Sequence, residues 1–436
     1  MISSAQASIH EITCPLHTAV INWDIPTVHS LLKRNININQ KDEQGNTVLH
    51  LAIKQITPKL TNRLQEIGLH TLDFDQLDPT SLQYKAINVI IKGYIQEIIE
   101  PLIKKGAYIH AKGKKQDTAL HIAAQAGHLE VVKYLLGMRA DIEAKQKNQW
   151  NALHIAAGDG HLEIVKYLIE MGADIEARAE NQSTALHIAA QYGHLRIVKY
   201  LLDKGVDIRV KNQNKSTALH MAAQGGHLEI VKYLLEMGTN IHAKQKNKWN
   251  ALHIAVGNGQ LELVKYLLEM GADIESKAKL GKTLHIATQE GHLEIVKYLL
   301  EMGADIHAKD ENQWNALHIA AQDGRLEIVK LLLNKGVNIN EKQENQWTAL
   351  HFAARYDHLA IVKYLIEKGV DVNVKQENQW TALHIAASHG CLETVKYLIE
   401  KGVSIHAKDD CSRKAIDFAL KHNHQQIAEL LKTYVY

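Results

Sequence analysis

Histidine offers this chain its widest choice of chemistry. There are 27 among 436 residues, and a neutral imidazole can hold a metal or pass a proton near pH 7. Their spacing argues for another use. One set falls at His17, His50, His121, His154, His187, His220, His253, His285, His318, His351 and His384. The steps are 33 residues, apart from one residue missing before His285 and 38 extra between His50 and His121. A second set, His128, His161, His194, His227, His292 and His358, keeps a fixed distance from the first. A residue that recurs once per period serves the frame rather than one reactive centre. No pair shows zinc-ligand spacing with a second pair to match it. His422-Asn423-His424 matches a nuclease tripeptide only as a string. Cys14, Cys391 and Cys411 are too few and too unpatterned for a disulfide framework, and they fit a reducing compartment. No catalytic residue, metal ligand or cofactor site is expected.

The elements that position these residues follow from the period. Counting anchors, with Asp417 in the last register position, gives twelve repeats. Within each, apolar pairs such as Ile164, Val165, Leu168 and Ile169 share one face at helical spacing, so two short helices are predicted. A glycine follows, as at Gly172, Gly205, Gly238, Gly271, Gly303, Gly336 and Gly369, where a helix end needs φ > 0. Asn35 takes that place in the first repeat, and Arg139 breaks the rule in the third, where a strained or differently shaped turn is expected. From the glycine to the next anchor the chain is polar and reads as a hairpin-like finger. A single repeat cannot bury its apolar face, but stacked neighbours can.

These residues resemble the ankyrin repeat, whose small-Leu-His-x-Ala-Ala, Gly-His-x-Glu-Ile-Val, Leu-Leu and Gly-Ala pattern returns along nearly the whole chain. The resemblance implies an all-α fold, an ankyrin-repeat solenoid of stacked helix pairs with projecting fingers and a concave face. It also implies that the anchor imidazoles hydrogen-bond finger and helix backbone. One departure stands out. Five residues before the anchor, where the family has glycine, this chain has mostly Gln or Asn, which leaves the finger turn in doubt. The expected organisation is an N-terminal capping repeat with the first half of repeat 2 (1–54), an insertion (55–92), the array (93–409) and a C-terminal capping repeat (410–436).

The N-terminal cap keeps Leu16, Leu31 and Leu32 for the core and carries polar His10, Glu11 and Asn22. In the insertion, Pro58, Asp78-Pro79 and Thr80-Ser81 are expected to mark turns. A helix should run from about Leu82, kinked or shortened by Pro101.

Partner recognition is expected where residue types vary inside the constant frame. Four residues before the anchor stand Trp150, Trp249, Trp314, Trp347 and Trp380. The resemblance puts this position on the finger facing the target, with repeats stacked about 8–10 Å apart. An exposed row of indoles has the composition of a binding hot spot. In the alternative reading, each indole lies over neighbouring finger residues and only stiffens the ridge. Tyr192, Asp323, Arg355, Tyr356 and His389, at the ends of first helices, complete the predicted groove. Recurrent Lys-Tyr pairs such as Lys166-Tyr167 read as the outer face.

A net charge of +2 gives no long-range pull toward nucleic acid or anionic membrane. No apolar run approaches the ~20 residues that span a bilayer, and the first residues show no secretory signal. The expectation is a non-catalytic scaffold that binds a protein or peptide in its groove, a monomer in the cytoplasm, with no nucleic acid or membrane partner. Near-identical repeats also look like the arrays of host-associated intracellular microbes, which implies a host-directed effector working in a host cytosol. As an alternative, the array supports a ligand-binding or regulatory activity of the insertion.

Overall fold

The fold is seen in a computed structural model that describes residues 14–66, 81–279 and 281–434. Two compact bodies divide the chain at 239/240. The first holds the helix pairs of repeats 1–6 and the second those of repeats 7–12. Within each body, first helices pack on neighbouring first helices and second helices on second helices. This is the all-α solenoid packing expected of an ankyrin array.

Repeat 4 shows why these residues form these elements. Its first helix is Ala152–Gly158 and its second is Leu162–Glu170. Asn151 caps the first, its side chain accepting the His154 amide at 3.1 Å, and His154 Nδ1 accepts the Asn151 amide in return at 3.3 Å. This is a capping box with imidazole in the place of the usual carboxylate. Ala152, Leu153, Ile155, Ala156 and Ala157 are buried together with Ile164, Val165 and Leu168, while Ile169 is half-buried. Small alanines let adjacent first helices approach closely, and each buried Leu or Ile contributes about 1.5–3 kcal/mol.

Both helices of a repeat stop in the same way. In repeat 3 the Gly127 and His128 amides fold back onto Ala124 O and Ala123 O; in repeat 4 the Gly172 and Ala173 amides reach Ile169 O and Leu168 O. This is the Schellman stop, built around one left-handed residue. Arg139 keeps the same shape as the glycines, at φ 63°, and its turn is therefore strained rather than different. Asn35 is a correction: it is not left-handed, because the helix Ile25–Leu32 ends earlier and turns at Lys33 and Arg34.

The doubt over the finger turn is resolved against the need for glycine. Gln116, Gln149, Gln182, Gln313, Gln346 and Gln379 all adopt φ between 62° and 64°, and Lys215, Lys248 and Ser412 sit at 60–66°. Each finger closes a short turn through the residue before the helix cap, as Gln346 N–H to Gln343 O (2.9 Å) and Gln343 N–H to Trp347 O (3.0 Å). The missing residue before His285 gives a tighter hairpin, with strands Lys277–Ala278 and Gly281–Lys282.

The insertion lengthens the helices of repeat 2 at the end remote from the fingers. Its first helix runs Val48–Glu66, with Pro58 exposed inside it, so Pro58 marks no turn. Asp78, Pro79 and Thr80 lie outside the described residues, as do His10 and Glu11. Ser81 caps the helix Leu82–Tyr94, which continues through a π-turn, Ile95–Ile99, into Glu100–Lys104. Pro101 accounts for the π-turn. It has no amide to offer the carbonyl of Glu97, and that oxygen instead accepts from His29 Nε2 at 3.0 Å. The C-terminal repeat swaps roles at the anchor: Asp417 accepts the Lys414 amide at 2.7 Å. Leu16 and Leu32 are buried at the N-terminus, Leu31 is half-buried, and Asn22 is exposed at a helix end.

Where both ring nitrogens are engaged, as in His121, His154, His187, His253, His285, His318 and His351, the anchor imidazole is locked in one state. Nδ1 accepts the cap amide, so Nε2 carries the proton and donates onward: His154 to Ala177 O (3.0 Å), His253 to Ser276 O (2.9 Å), His318 to Glu341 O (2.9 Å) and His351 to Val374 O (3.1 Å). Burial pushes His187, His253 and His351 down to about 4, and burial does the same to His128, whose Nε2 meets Thr57 Oγ1 at 2.9 Å.

Two expectations follow from this frame. Gln346→Gly relieves a left-handed Cβ and should raise stability by about 0.5–1 kcal/mol after glycine's extra unfolded-chain freedom is deducted, whereas Gly336→Ala should lower it by about 1 kcal/mol. Urea midpoints at constant slope measure both. Acid should unfold the protein through its histidines. The unfolded chain binds protons below pH 6.5 while the native one refuses them to about pH 4, so stability is complete above 6.5 and falls between 6.5 and 4. Each of the four deeply shifted groups contributes about 3 kcal/mol to that fall. A denaturation midpoint flat from pH 6.5 to 4 would contradict it.

Candidate functional site

Each finger delivers its last residue onto the first-helix layer. In the second body, Trp314, Trp347 and Trp380 are all half-buried, which corrects the expectation of exposed indoles. The cause is Phe352. It occupies the position after the anchor, where most repeats carry Ile, and it is buried between two indoles, with centroids 4.3 Å from Trp314 and 5.1 Å from Trp347. Phe418 repeats the arrangement. Trp380 lies 4.3 Å from it, and the Arg413 guanidinium stands 4.7 Å from the same ring while pairing with Asp409 at 2.8 Å.

Arg355, exposed at the end of its helix, lies 5.5 Å from the rings of both Trp347 and Tyr356, and Tyr356 is itself exposed. The structure thus joins Trp314, Phe352, Trp347, Arg355 and Tyr356 into one aromatic-cationic strip. Between the next two fingers, Trp347 and Trp380 border a hollow of about 350 Å³. Asp323 and His389 enter this strip through no ring contact among the described residues. Asp323 caps the helix Ala316–Gln322 and accepts from Gln322 Nε2 at 3.2 Å, while His389 Nδ1 donates to Ile385 O at 2.9 Å.

Two other indoles are seated by glycine. The space for a Cβ on Gly257 is filled by Trp249, 3.1 Å away, and the space beside Gly158 is shared by Ile188, Trp150 and Tyr192. Trp150 and Tyr192 therefore flank the same glycine in the first body, and Trp249 stands with its own helix. A hollow of about 430 Å³ in the first body, lined in part by Lys54, Lys114, Lys115, Asp117 and His121, carries mixed charge.

The second histidine set also has a defined task. His161 Nε2 meets Gln125 O at 3.0 Å, His194 meets Gly158 O at 2.8 Å and His358 meets Gln322 O at 2.8 Å, each joining one repeat to the first-helix end of the repeat before. His424, from the nuclease-like string, does the same to Ser388 O at 3.2 Å, and Asn423 is the left-handed stop residue. Among the described residues no group of three or more His, Cys, Asp or Glu side chains is placed to hold a metal. No helix there is long and apolar enough to cross a membrane.

On the outer face, lysines of one repeat lie over tyrosines of the next, Lys199 on Tyr233 at 5.0 Å and Lys363 on Tyr397 at 5.4 Å. The variable, half-open surface is therefore the finger and first-helix side.

Capped helix pairs, left-handed stops and stacked fingers define a helical repeat protein. The chain belongs to the ankyrin-repeat family. Family models described as "Ankyrin repeats (3 copies)" match residues 58–146, 86–179, 136–212, 186–278, 237–310 and 284–376, and one described as "Ankyrin repeats (many copies)" matches 383–431. The nuclear factor NF-kappa-B p105 subunit of Gallus gallus is 32% identical over 112 residues, which cover 26% of this chain and 11% of that protein.

Sequence reading missed Phe352, Phe418 and Arg413. The available signal was in the register: Phe replaces Ile after the anchor only where tryptophan precedes it on the neighbouring finger. Phe352→Ala should cost about 3–5 kcal/mol and red-shift tryptophan emission as two indoles gain water, whereas Phe352→Ile, the type used in most repeats, should cost far less. Emission maxima beside urea midpoints check this.

Proposed function

We propose that this chain is a non-catalytic scaffold whose finger and first-helix face captures a protein or peptide, chiefly through Trp314, Trp347, Arg355, Tyr356 and Trp380, with Asp323 and His389 at its edge. Trp150, Tyr192 and Trp249 form smaller patches of the same kind. The observation that carries this reading is the strip in which Arg355 and Tyr356 stay exposed over half-buried indoles. Such rigid aromatic area, already ordered before binding, loses little entropy on association. Ankyrin repeats are protein-interaction modules, which supports the partner class. Three cysteines, all free, are consistent with work as a monomer in a cytoplasm, including a host's if the chain is exported.

Because the indoles also fill the frame, exposed residues give the cleaner test. A partner isolated with the intact chain and then purified should bind Arg355→Ala/Tyr356→Ala at least tenfold more weakly, with melting unchanged. The triple variant Trp314→Ala/Trp347→Ala/Trp380→Ala should lose binding and some stability together. Full affinity in the double variant would remove this surface as the site. Binding that vanishes only when residues 55–92 are deleted would move the function to the insertion.

A further inference from the structure

The hollow between Trp347 and Trp380 has a chemical preference of its own. Its lining is Asn345, Trp347, Gln376, Glu377, Asn378 and Trp380: two indoles, three amides and one carboxylate, with no cation. Gln376 is buried and its Oε1 accepts the Asn378 amide. Asn345 O accepts the Glu377 amide at 3.2 Å, and Asn378 O accepts that of Asp410 at 3.4 Å. These backbone bonds tie adjacent fingers together and hold the Glu377 side chain at the rim. It is exposed and in no ion pair among the described residues.

We propose that this hollow takes a cationic side chain, arginine or lysine, from an extended segment of the captured protein, held between the two indole faces with Glu377 as its counter-charge. The inference rests on the capture surface above and names the chemistry of what enters it. Two arrangements within the same body support it. Arg413 already lies over Phe418 while paired to Asp409, and Arg355 already lies over Trp347. Aromatic faces on this side of the fold thus accept guanidinium from the chain itself. Attraction of a cation to an indole face adds to the carboxylate's attraction, and a partly desolvated slot strengthens both. The finger tips on either side, Glu344 and Asp410, are exposed carboxylates in the same register, so further cations along an extended segment would meet like partners.

The test uses the full chain and a labelled, end-blocked nonapeptide of alternating Arg and Ser, compared with the peptide in which citrulline replaces arginine. Citrulline keeps the shape and removes the charge. Fluorescence anisotropy at low salt should give a Kd at least fivefold lower for the arginine peptide, and Glu377→Gln should close most of that gap. Glu180→Gln, at the same tip position in a repeat with Ser183 in place of tryptophan, should leave it unchanged. Equal Kd values for the two peptides would overturn the proposal, as would indifference to Glu377→Gln or an equal effect of Glu180→Gln. If the peptide is indifferent while Arg355→Ala/Tyr356→Ala still releases the purified partner, the cation is wrong and the surface right. The reverse result removes the surface and keeps the slot.

Discussion

The constraint on which the rest depends is a buried imidazole that must stay neutral. Its Nδ1 lone pair satisfies the first amide of its own helix, and its Nε2 proton satisfies a carbonyl one finger further on, as in His253 between Asn250 and Ser276. One side chain thus starts a helix and fixes the distance to the next repeat. Protonation would leave two donors where the cap amide needs an acceptor. A carboxylate could cap the helix, as Asp417 does in the twelfth repeat, but an ionised carboxylate has no proton to send forward.

The second histidine set shows the same economy with steric consequences. His194 lies so close to Gly160 that an added Cβ would sit 2.7 Å from its ring, and His358 approaches Gly324 equally closely. Glycine there answers both a left-handed φ and the ring of the following repeat. One junction changes all its terms together. Cys391 replaces the imidazole, Asp357 replaces the glycine at φ 56°, and Thr394 replaces the buried aliphatic residue and donates to Asp357 Oδ1 at 2.8 Å. With the ring gone, the space can hold a carboxylate, and a buried hydroxyl satisfies it. Burial of the Cys391 thiol lifts its pKa to about 11, so the substituted cysteine packs and does not react.

Such coupling explains what the sequence made legible. Register, helix pairs, second-helix stops and family came through because each depends on residue types that recur at a fixed interval. The finger turn was harder to read because Gln346 and its equivalents pay a local backbone cost that only neighbouring fingers offset, through bonds such as Glu344 N–H to Asn312 O. The tryptophans lie deeper than the exposed row expected of them. Their depth depends on Phe352 and Phe418, residues of an adjacent helix whose significance shows only when two columns of the register are compared. Pro58 misled for a related reason: a proline reads as a break, yet the long helix around it is held by the burial of Ile56, Leu60 and Leu64.

These dependencies limit how the variable face can evolve. An indole at the base of a finger cannot be judged as surface alone, because Trp347 touches Phe352 below, Arg355 beside it and the hollow shared with Trp380. Replacing it alters packing and display together. Exposed neighbours such as Tyr356 and Glu377 carry no such double duty. If this face is the proposed capture surface, changes of partner preference are cheapest at the finger tips and first-helix ends, where substitution leaves the packing of the indoles intact. The body keeps one rigid aromatic floor and varies the polar groups around it, so a frame this uniform can still present different surfaces along its length.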